Sequence, residues 1–259
     1  QTIDFCFFTK IKRQKKENIE NKRLGFMSKI ITITAADEKF KELCTVCAES
    51  AKYLGYETLV YDLGNLGFGI PFKARFADDV GGKIPSKPNI ILDALSKVND
   101  GDYVVWLDAD TIMWETIDEI KGNFDIGVTV RVGKQMETDN PINAGVCFFK
   151  KTSATLNFID LWISKCEQGT SDQRELNKLL KGVHHTHADN NEIISVNGLL
   201  VKVFSVKIYN SWAFKKPQTE FAKITHYKSK YRRFWPTRTI NHSFRRYQTL
   251  EENRNTSNE

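Results

Sequence analysis

Tyr103-Val104-Val105-Trp106-Leu107-Asp108-Ala109-Asp110-Thr111 is the stretch on which the fold turns. Its unbroken apolar run predicts a strand buried on both faces, the pattern of a parallel sheet covered by helices. The run ends in two carboxylates, Asp108 and Asp110, where the buried strand meets a loop. Carboxylates are hard oxygen ligands, and a pair at such an edge can hold a divalent ion with positions left open for phosphate oxygens. The ordinary alternative is a strand end with two solvated acids, because a D-x-D by itself recurs by chance. The elements around it decide between the two.

Upstream, Lys29 to Thr34 is rich in β-branched residues and predicts the first strand. It runs into Ala35-Ala36 and then Asp37, a residue type that caps helices. Apolar side chains recur at helical spacing from Glu38 to Tyr53, Gly55 ends that helix, and Glu57 to Leu63 predicts a second strand. Strand, helix and strand at this spacing make a βαβ unit, so an α/β fold with a mainly parallel central sheet flanked by helices is expected. Residues 64 to 88 carry too many glycines and prolines for regular structure, and a loop of that length is usually functional. Arg75 and Lys87 lie in it; solvated surface charge is the plain alternative for both. A helix from about Asn89 to Val98 then leads into the opening strand. Ligands of open α/β sheets gather beyond the carboxyl ends of such strands, where Asp108 and Asp110 sit.

Downstream, a short helix is expected over Glu115 to Lys121, a strand over Asp125 to Arg131, and a polar loop up to Pro141. In Ile142 to Phe149, small residues introduce an apolar strand, and Gly145 permits close approach to the backbone. A helix follows from Ala154 to Cys166. Ser171 is an N-cap type ahead of Asp172-Gln173-Arg174, and an acid there favours the positive helix end without needing any function. Residues Gly182 to Val196, with His184, His185 and His187, are expected to form a solvated loop rather than a metal cluster. Strands are expected at Leu199 to Val206 and at Ala222 to His226, and a lone histidine such as His226 is more often structural than a ligand.

Composition narrows the class. With 41% hydrophobic and 27% charged residues in 259, the chain can bury a core, and no apolar run reaches the length of a membrane span. The order at the amino end, apolar Ile3 to Phe8 and then a basic cluster, is the reverse of a secretory signal. Five cysteines, an odd number, point to reduced thiols and a cytoplasmic setting. Cys44-Thr45-Val46-Cys47 has the spacing of a redox or zinc pair, but it falls inside an amphipathic helix and has no second pair to match, so buried thiols are expected. The net charge of +6 is concentrated between Phe221 and Leu250, where eight basic residues and interleaved aromatics occur with no acid. Such a segment attracts a nucleotide diphosphate, an anionic membrane or a nucleic acid by the same electrostatics.

Two families combine an apolar strand with D-x-D. Leu107-Asp108-Ala109-Asp110-Thr111 resembles the opening motif of haloacid-dehalogenase-like phosphatases, but those need a downstream acidic pair that this chain lacks, and a βαβ unit precedes the motif here. The order of motifs across residues 29 to 235 more closely resembles GT-A nucleotide-sugar glycosyltransferases of the retaining kind, such as glycogenin and the lipopolysaccharide galactosyltransferases. Thr34-Ala35-Ala36 resembles the nucleoside-receiving end of their first strand, Asp108-Ala109-Asp110 their metal-binding D-x-D, and Asn143-Ala144-Gly145-Val146 their N-A-G strand beside the sugar. Ser171-Asp172-Gln173, with Leu176-Asn177, resembles their D-Q helix. His226 followed by Lys228 and Lys230 is similar to their closing histidine and lysine, although the usual glycine between them is missing.

The resemblance implies a GT-A-like domain over residues 27–235, with a Rossmann-like nucleotide half and an acceptor half, between a basic leader (1–26) and a polar tail (236–259). It implies Asp108, Asp110 and His226 as ligands of Mn2+ or Mg2+. Thr34, Ala35, Ala36, Arg75, Lys87, Asp108, Ala109, Lys228 and Lys230 are implied at the nucleotide and its diphosphate. Asn143, Ala144, Gly145, Asp172 and Gln173 are implied at the sugar or acceptor, with Asp172 and Gln173 as the catalytic candidates. The donor expected is a nucleoside diphosphate sugar, most naturally a UDP-sugar, and the acceptor a glycan, lipid or protein. Peripheral contact with an anionic membrane is compatible with the basic segment; no nucleic acid is expected. A non-catalytic protein using that segment to bind membrane or nucleic acid is the alternative from another class, and it leaves the D-x-D and D-Q stretches without purpose.

Overall fold

The structure, a computed structural model, describes residues 28–64, 67, 69–71, 87–131, 140–168, 171–183, 192–212 and 222–227. Eleven strands are found among them. β1 (Ile30–Ala36), β2 (Glu57–Asp62), β3 (Ile70–Pro71), β4 (Tyr103–Leu107), β6 (Ile126–Val130), β7 (Ile142–Lys150), β8 (Ile193–Val196) and β9 (Leu199–Phe204) make one sheet in the order β3-β2-β1-β4-β7-β6-β9-β8. β3, β2, β1 and β4 are parallel, as are β6 and β9, while β7 runs antiparallel to both β4 and β6. The expected α/β sheet is present, with one reversed strand at its centre. β5 (Thr111–Met113), β10 (Ser211–Trp212) and β11 (Ile224–His226) form a second, three-stranded sheet.

β4 is buried along its whole length, and its alternation divides the core. Val104 and Trp106 join Ile31 and Ile33 on one face, beneath α2 (Lys87–Ser96), α3 (Ser153–Gln168) and α4 (Asp172–Leu179). Tyr103, Val105 and Leu107 point the other way, towards Cys47 and Ala51 of α1 (Lys41–Tyr53) and towards Phe148 and Phe204. A strand covered on both sides must be apolar at every position, which is why β4 carries no alternating polar residues. Cys44 and Cys47 are fully buried on the inner side of α1, as expected, and burial pushes their thiols up to about 11 and about 12. Neither is a ready nucleophile or metal ligand in that state.

Several boundaries differ from the sequence expectation. α2 begins at Lys87, two residues earlier than predicted, because Pro88 is tolerated in a first helical turn. The helix expected over Glu115 to Lys121 reduces to a single 3-10 turn at Asp118–Ile120, preceded by β5. Ile193–Val196 is a strand rather than the end of a loop. It pairs with β9 through Asn197-Gly198, both with positive φ (51° and 83°), the geometry of a two-residue hairpin turn. His184, His185 and His187, the leader, the tail and most of the basic carboxyl segment lie outside the described residues.

Gly127 in β6 is a position where packing admits no side chain. A Cβ there would lie 2.4 Å from Phe204 Cε2 and 3.1 Å from Phe148 Cβ, both in a tightly packed aromatic cluster. Gly127→Ala is therefore expected to destabilise the protein by about 1–3 kcal/mol, lowering the thermal midpoint by several degrees. A midpoint equal to that of the parent protein would show that this cluster yields.

Candidate active site

The chain leaves β4 at Leu107 and turns at once. Thr111 N–H and its hydroxyl both donate to the Asp108 carbonyl, at 3.0 and 2.8 Å, closing a tight turn over Asp108-Ala109-Asp110. β5 then pairs antiparallel with β11 in a register that sets Thr111 opposite His226. Tyr227 N–H donates to the Asp110 carbonyl at 2.8 Å and extends the pairing past the strand end. This second sheet carries His226, distant in sequence, onto the D-x-D turn. His226 Nε2 lies 3.0 Å from Asp110 Oδ1 and 3.6 Å from Asp108 Oδ2, and one ligand atom from each of the three residues falls within 4.8 Å of the others.

The opposite wall is β7. Asp108 N–H donates to the Gly145 carbonyl at 2.8 Å, which carries the β4–β7 ladder one residue past Leu107. Gly145 lies directly under the imidazole: a Cβ on it would be 2.1 Å from His226 Cε1 and 3.1 Å from Asp108 Oδ2. The closeness requires glycine for lack of a side chain, not for an unusual φ. Asn143 is fully buried and its Oδ1 accepts from Gly145 N–H at 3.1 Å, while the Ala144 carbonyl accepts from Lys87 Nζ at 2.7 Å.

Lys87, at the start of α2, also donates to Asp108 Oδ1 at 2.8 Å and lies 4.9 Å from the centre of the Trp106 ring. Trp106 Nε1–H donates to the same carboxylate oxygen at 2.8 Å. Burial opposes the charge on Lys87, but Asp108, with a further contribution from Asp172, outweighs it and keeps the ammonium above its ordinary range. Burial likewise opposes the Asp108 carboxylate, yet Lys87 foremost, then His226, and the hydrogen bonds from Lys87 and Trp106, hold it well below the usual carboxylate range. Asp108 thus stays ionised with Oδ1 held by two donors and Oδ2 turned to His226.

Behind His226, Asn210 is fully buried and its Oδ1 lies 2.9 Å from His226 Nδ1. Asn210 Nδ2 donates to Thr129 Oγ1 at 2.8 Å, so the amide presents its oxygen to the ring and Nδ1 carries the proton. In the neutral ring Nε2 then carries the lone pair. It is buried, makes no hydrogen bond among the described residues, and faces two carboxylates. Such a lone pair beside negative oxygens needs a cation between them, so the residues present fit a divalent ion.

α4 completes the wall. Ser171 Oγ accepts from Arg174 N–H at 3.2 Å as the expected N-cap, and Asp172 Oδ1 accepts from Gln173 N–H at 2.6 Å. Asn177 ties the helix to β7: Oδ1 accepts from Ile142 N–H at 2.8 Å and Nδ2 donates to the Ile142 carbonyl at 3.0 Å. Thr34 is fully buried and its Oγ1 accepts from Cys44 Sγ at 3.7 Å; β1 runs on to Ala36. Ala35 and Ala109 are partly exposed, Ala36 is buried, and Arg75, Lys228 and Lys230 lie outside the described residues.

Residues 90–234, more than half of the chain, match the family of nucleotide-diphospho-sugar transferases, and this span contains the D-x-D turn, β7, α4 and His226. The chain belongs to that family. The transferase is similar in fold to GlyE, a glycosyltransferase of Streptococcus pneumoniae TIGR4, with a TM-score of 0.50 at 15% identity over 78% of this chain and 56% of that one. It is also similar to the galactosyltransferase LgtC, with a TM-score of 0.44 at 16% identity over 77% of this chain and 87% of that one. A glycosyltransferase involved in the glycosylation of the major capsid of PBCV-1 matches at 0.48 and 16% over 76% and 94%. Comparison with curated protein sequences returned no match. The transferase is therefore a GT-A glycosyltransferase, and the phosphatase and non-catalytic readings fall away. No helix among its described residues is long and apolar enough to cross a membrane. Its sequence did not reveal Asn210, Trp106 or Thr129 as parts of the site, because each acts through a partner that only the sheet register supplies.

Proposed function

We propose that the transferase moves a sugar from a nucleoside diphosphate sugar, most naturally a UDP-sugar, to a glycan, lipid or protein acceptor, using a divalent ion, Mn2+ or Mg2+, held by Asp108, Asp110 and His226. The observation that carries this reading is the buried, lone-pair-bearing Nε2 of His226 facing both carboxylates of the D-x-D turn. When bound, the ion supplies Lewis-acid stabilisation of the departing diphosphate.

The remaining steps belong to the chain. Breaking the glycosidic bond leaves growing negative charge on the diphosphate and oxocarbenium character on the sugar. Lys87 keeps Asp108 ionised and oriented, and Lys87, Arg75 and Lys228 or Lys230 add positive charge that favours the departing diphosphate. Asp172 and Gln173 contact the transferred sugar, and the Asp172 carboxylate favours the developing cation. Asn143, Ala144 and Gly145 line the sugar side of the turn; Thr34 to Ala36 contribute the end of β1 for the nucleoside. Retention of configuration belongs to the same proposal and rests on the likeness of the ordered motifs to retaining enzymes, as does peripheral membrane contact on the basic segment.

A thermal-shift panel of nucleoside diphosphate sugars with and without Mn2+ tests it. A ligand at a hundred times its Kd stabilises the folded state by about 2.7 kcal/mol, worth roughly 5–10 °C in a chain of this size. One donor is expected to give such a shift only when Mn2+ is present. If no nucleoside diphosphate sugar shifts the midpoint in the presence of either ion, the donor assignment is wrong.

A further inference from the structure

We infer that Asn210 is the positioning residue that sets the tautomer of His226 and so makes its Nε2 available as a ligand; the inference rests on the metal reading above. Asn210 follows α5 (Val206–Tyr209), and its backbone N–H is already spent on the Val206 carbonyl at 3.1 Å, so the side chain has no part in closing that turn. Its carboxamide is fully buried between two fixed groups: His226 Nδ1 at 2.9 Å and Thr129 Oγ1 at 2.8 Å. Thr129 in turn is part of β6, paired with Asn143 of β7, and is itself fully buried. The chain from β6 through Asn210 to the imidazole therefore has no slack. The Thr129 hydroxyl donates to the Asn143 carbonyl at 3.5 Å, which leaves its oxygen to accept from the Asn210 nitrogen and turns the amide oxygen towards Nδ1–H. That assigns the lone pair to Nε2, the ring atom 3.0 Å from Asp110.

The alternative tautomer would put a proton on Nε2 and a lone pair against the Asn210 oxygen. It would satisfy Asp110 without any ion and close the site to a metal. Asn210 thus holds the histidine in the form that must be completed by a cation rather than the form that is complete alone.

The first test needs neither substrate nor variant. In metal-free protein labelled with 15N-histidine, at a pH well above the ordinary histidine range, His226 is expected to show a protonated Nδ1 and an unprotonated Nε2. A ring protonated at Nε2 overturns the inference. The second test is Mn2+ affinity by electron paramagnetic resonance. Asn210→Leu, of the same branching but unable to accept a hydrogen bond, is expected to weaken Mn2+ binding by about 10–100-fold, whereas Asn210→Asp, which still accepts from Nδ1, should keep the tautomer and most of the affinity. A packing role predicts that both variants lose affinity in step with stability. That result, or an Asn210→Leu protein that binds Mn2+ as the parent does, overturns the assignment. A parent protein with the expected tautomer and no Mn2+ or Mg2+ affinity overturns the metal reading instead, so the two failures are distinguishable.

Discussion

Asp110→Ala is expected to lower metal-dependent sugar transfer by about a thousandfold or more while leaving the fold in place. A site that stabilises the leaving diphosphate through an ion contributes several kcal/mol to the barrier, and each 1.36 kcal/mol is worth about tenfold in rate. Removing one of three protein ligands takes most of that away. The fold should survive because alanine preserves the Asp110 carbonyl, which accepts from Tyr227 N–H at 2.8 Å and joins the turn to β11. The carboxylate itself is nearly buried, with Oδ1 3.0 Å from the unprotonated Nε2 of His226. The stabilisation that Mn2+ confers on the parent should be missing from the variant. Steady-state transfer and paired melts with and without Mn2+ read both effects. Transfer undiminished by the substitution would remove Asp110 from the site.

Gly145→Ala should have a comparable effect from outside the ligand set. The added Cβ would lie 2.1 Å from His226 Cε1 and 2.4 Å from Nδ1, distances that no packed methyl tolerates. The ring cannot swing aside freely, because Asn210 holds Nδ1 from behind. Nor can β7 retreat, because Gly145 accepts from Asp108 N–H and the strand lies between β4 and β6. The strain must appear as displaced ligands and lost stability: about 1–3 kcal/mol in unfolding and roughly a hundredfold or more in kcat/KM, the size of loss that a 1 Å misplacement can bring. Gly182→Ala is the matched control. Its Cβ would meet Val196 Cγ2 at an ordinary 3.5 Å, and it should be close to neutral. Parent-like metal affinity in Gly145→Ala would mean that His226 does not need its present position.

The two substitutions separate chemistry from geometry. Asp110→Ala deletes a ligand and spares the frame; Gly145→Ala keeps every ligand and disturbs where one of them stands.

Much of the architecture was legible from local pattern. β4 was evident because a strand buried on both faces has to be apolar throughout, and α1 because its buried Cys44, Cys47 and Ala51 recur at helical spacing. Most of the short elements were not. β5 and β10 are three and two residues long, too few to establish a period, and they exist only because each lies beside β11, which the strand expected over Ala222 to His226 contains. β8 was missed because its polar surroundings suggest a loop, although Asn197-Gly198 is a hairpin signal in its own right.

At the site, residue types were readable and partnerships were not. Asp108 and Asp110 announce themselves by their chemistry at a strand end. That Lys87 donates to Asp108 and to the Ala144 carbonyl was not readable, because it depends on where α2 begins. Thr34 was read from a family resemblance, and its contact with Cys44 across to α1 was not readable from the sequence. The sequence alone determined the α/β class, the buried strand and the acidic pair at its end, because these follow from periodicity and side-chain chemistry within a few residues. The tertiary structure alone decided that Thr111 pairs with His226, that glycine is required beneath the imidazole, and that Asn210 holds its far nitrogen. The reason is that strand register couples residues more than a hundred positions apart, and no local pattern carries that information.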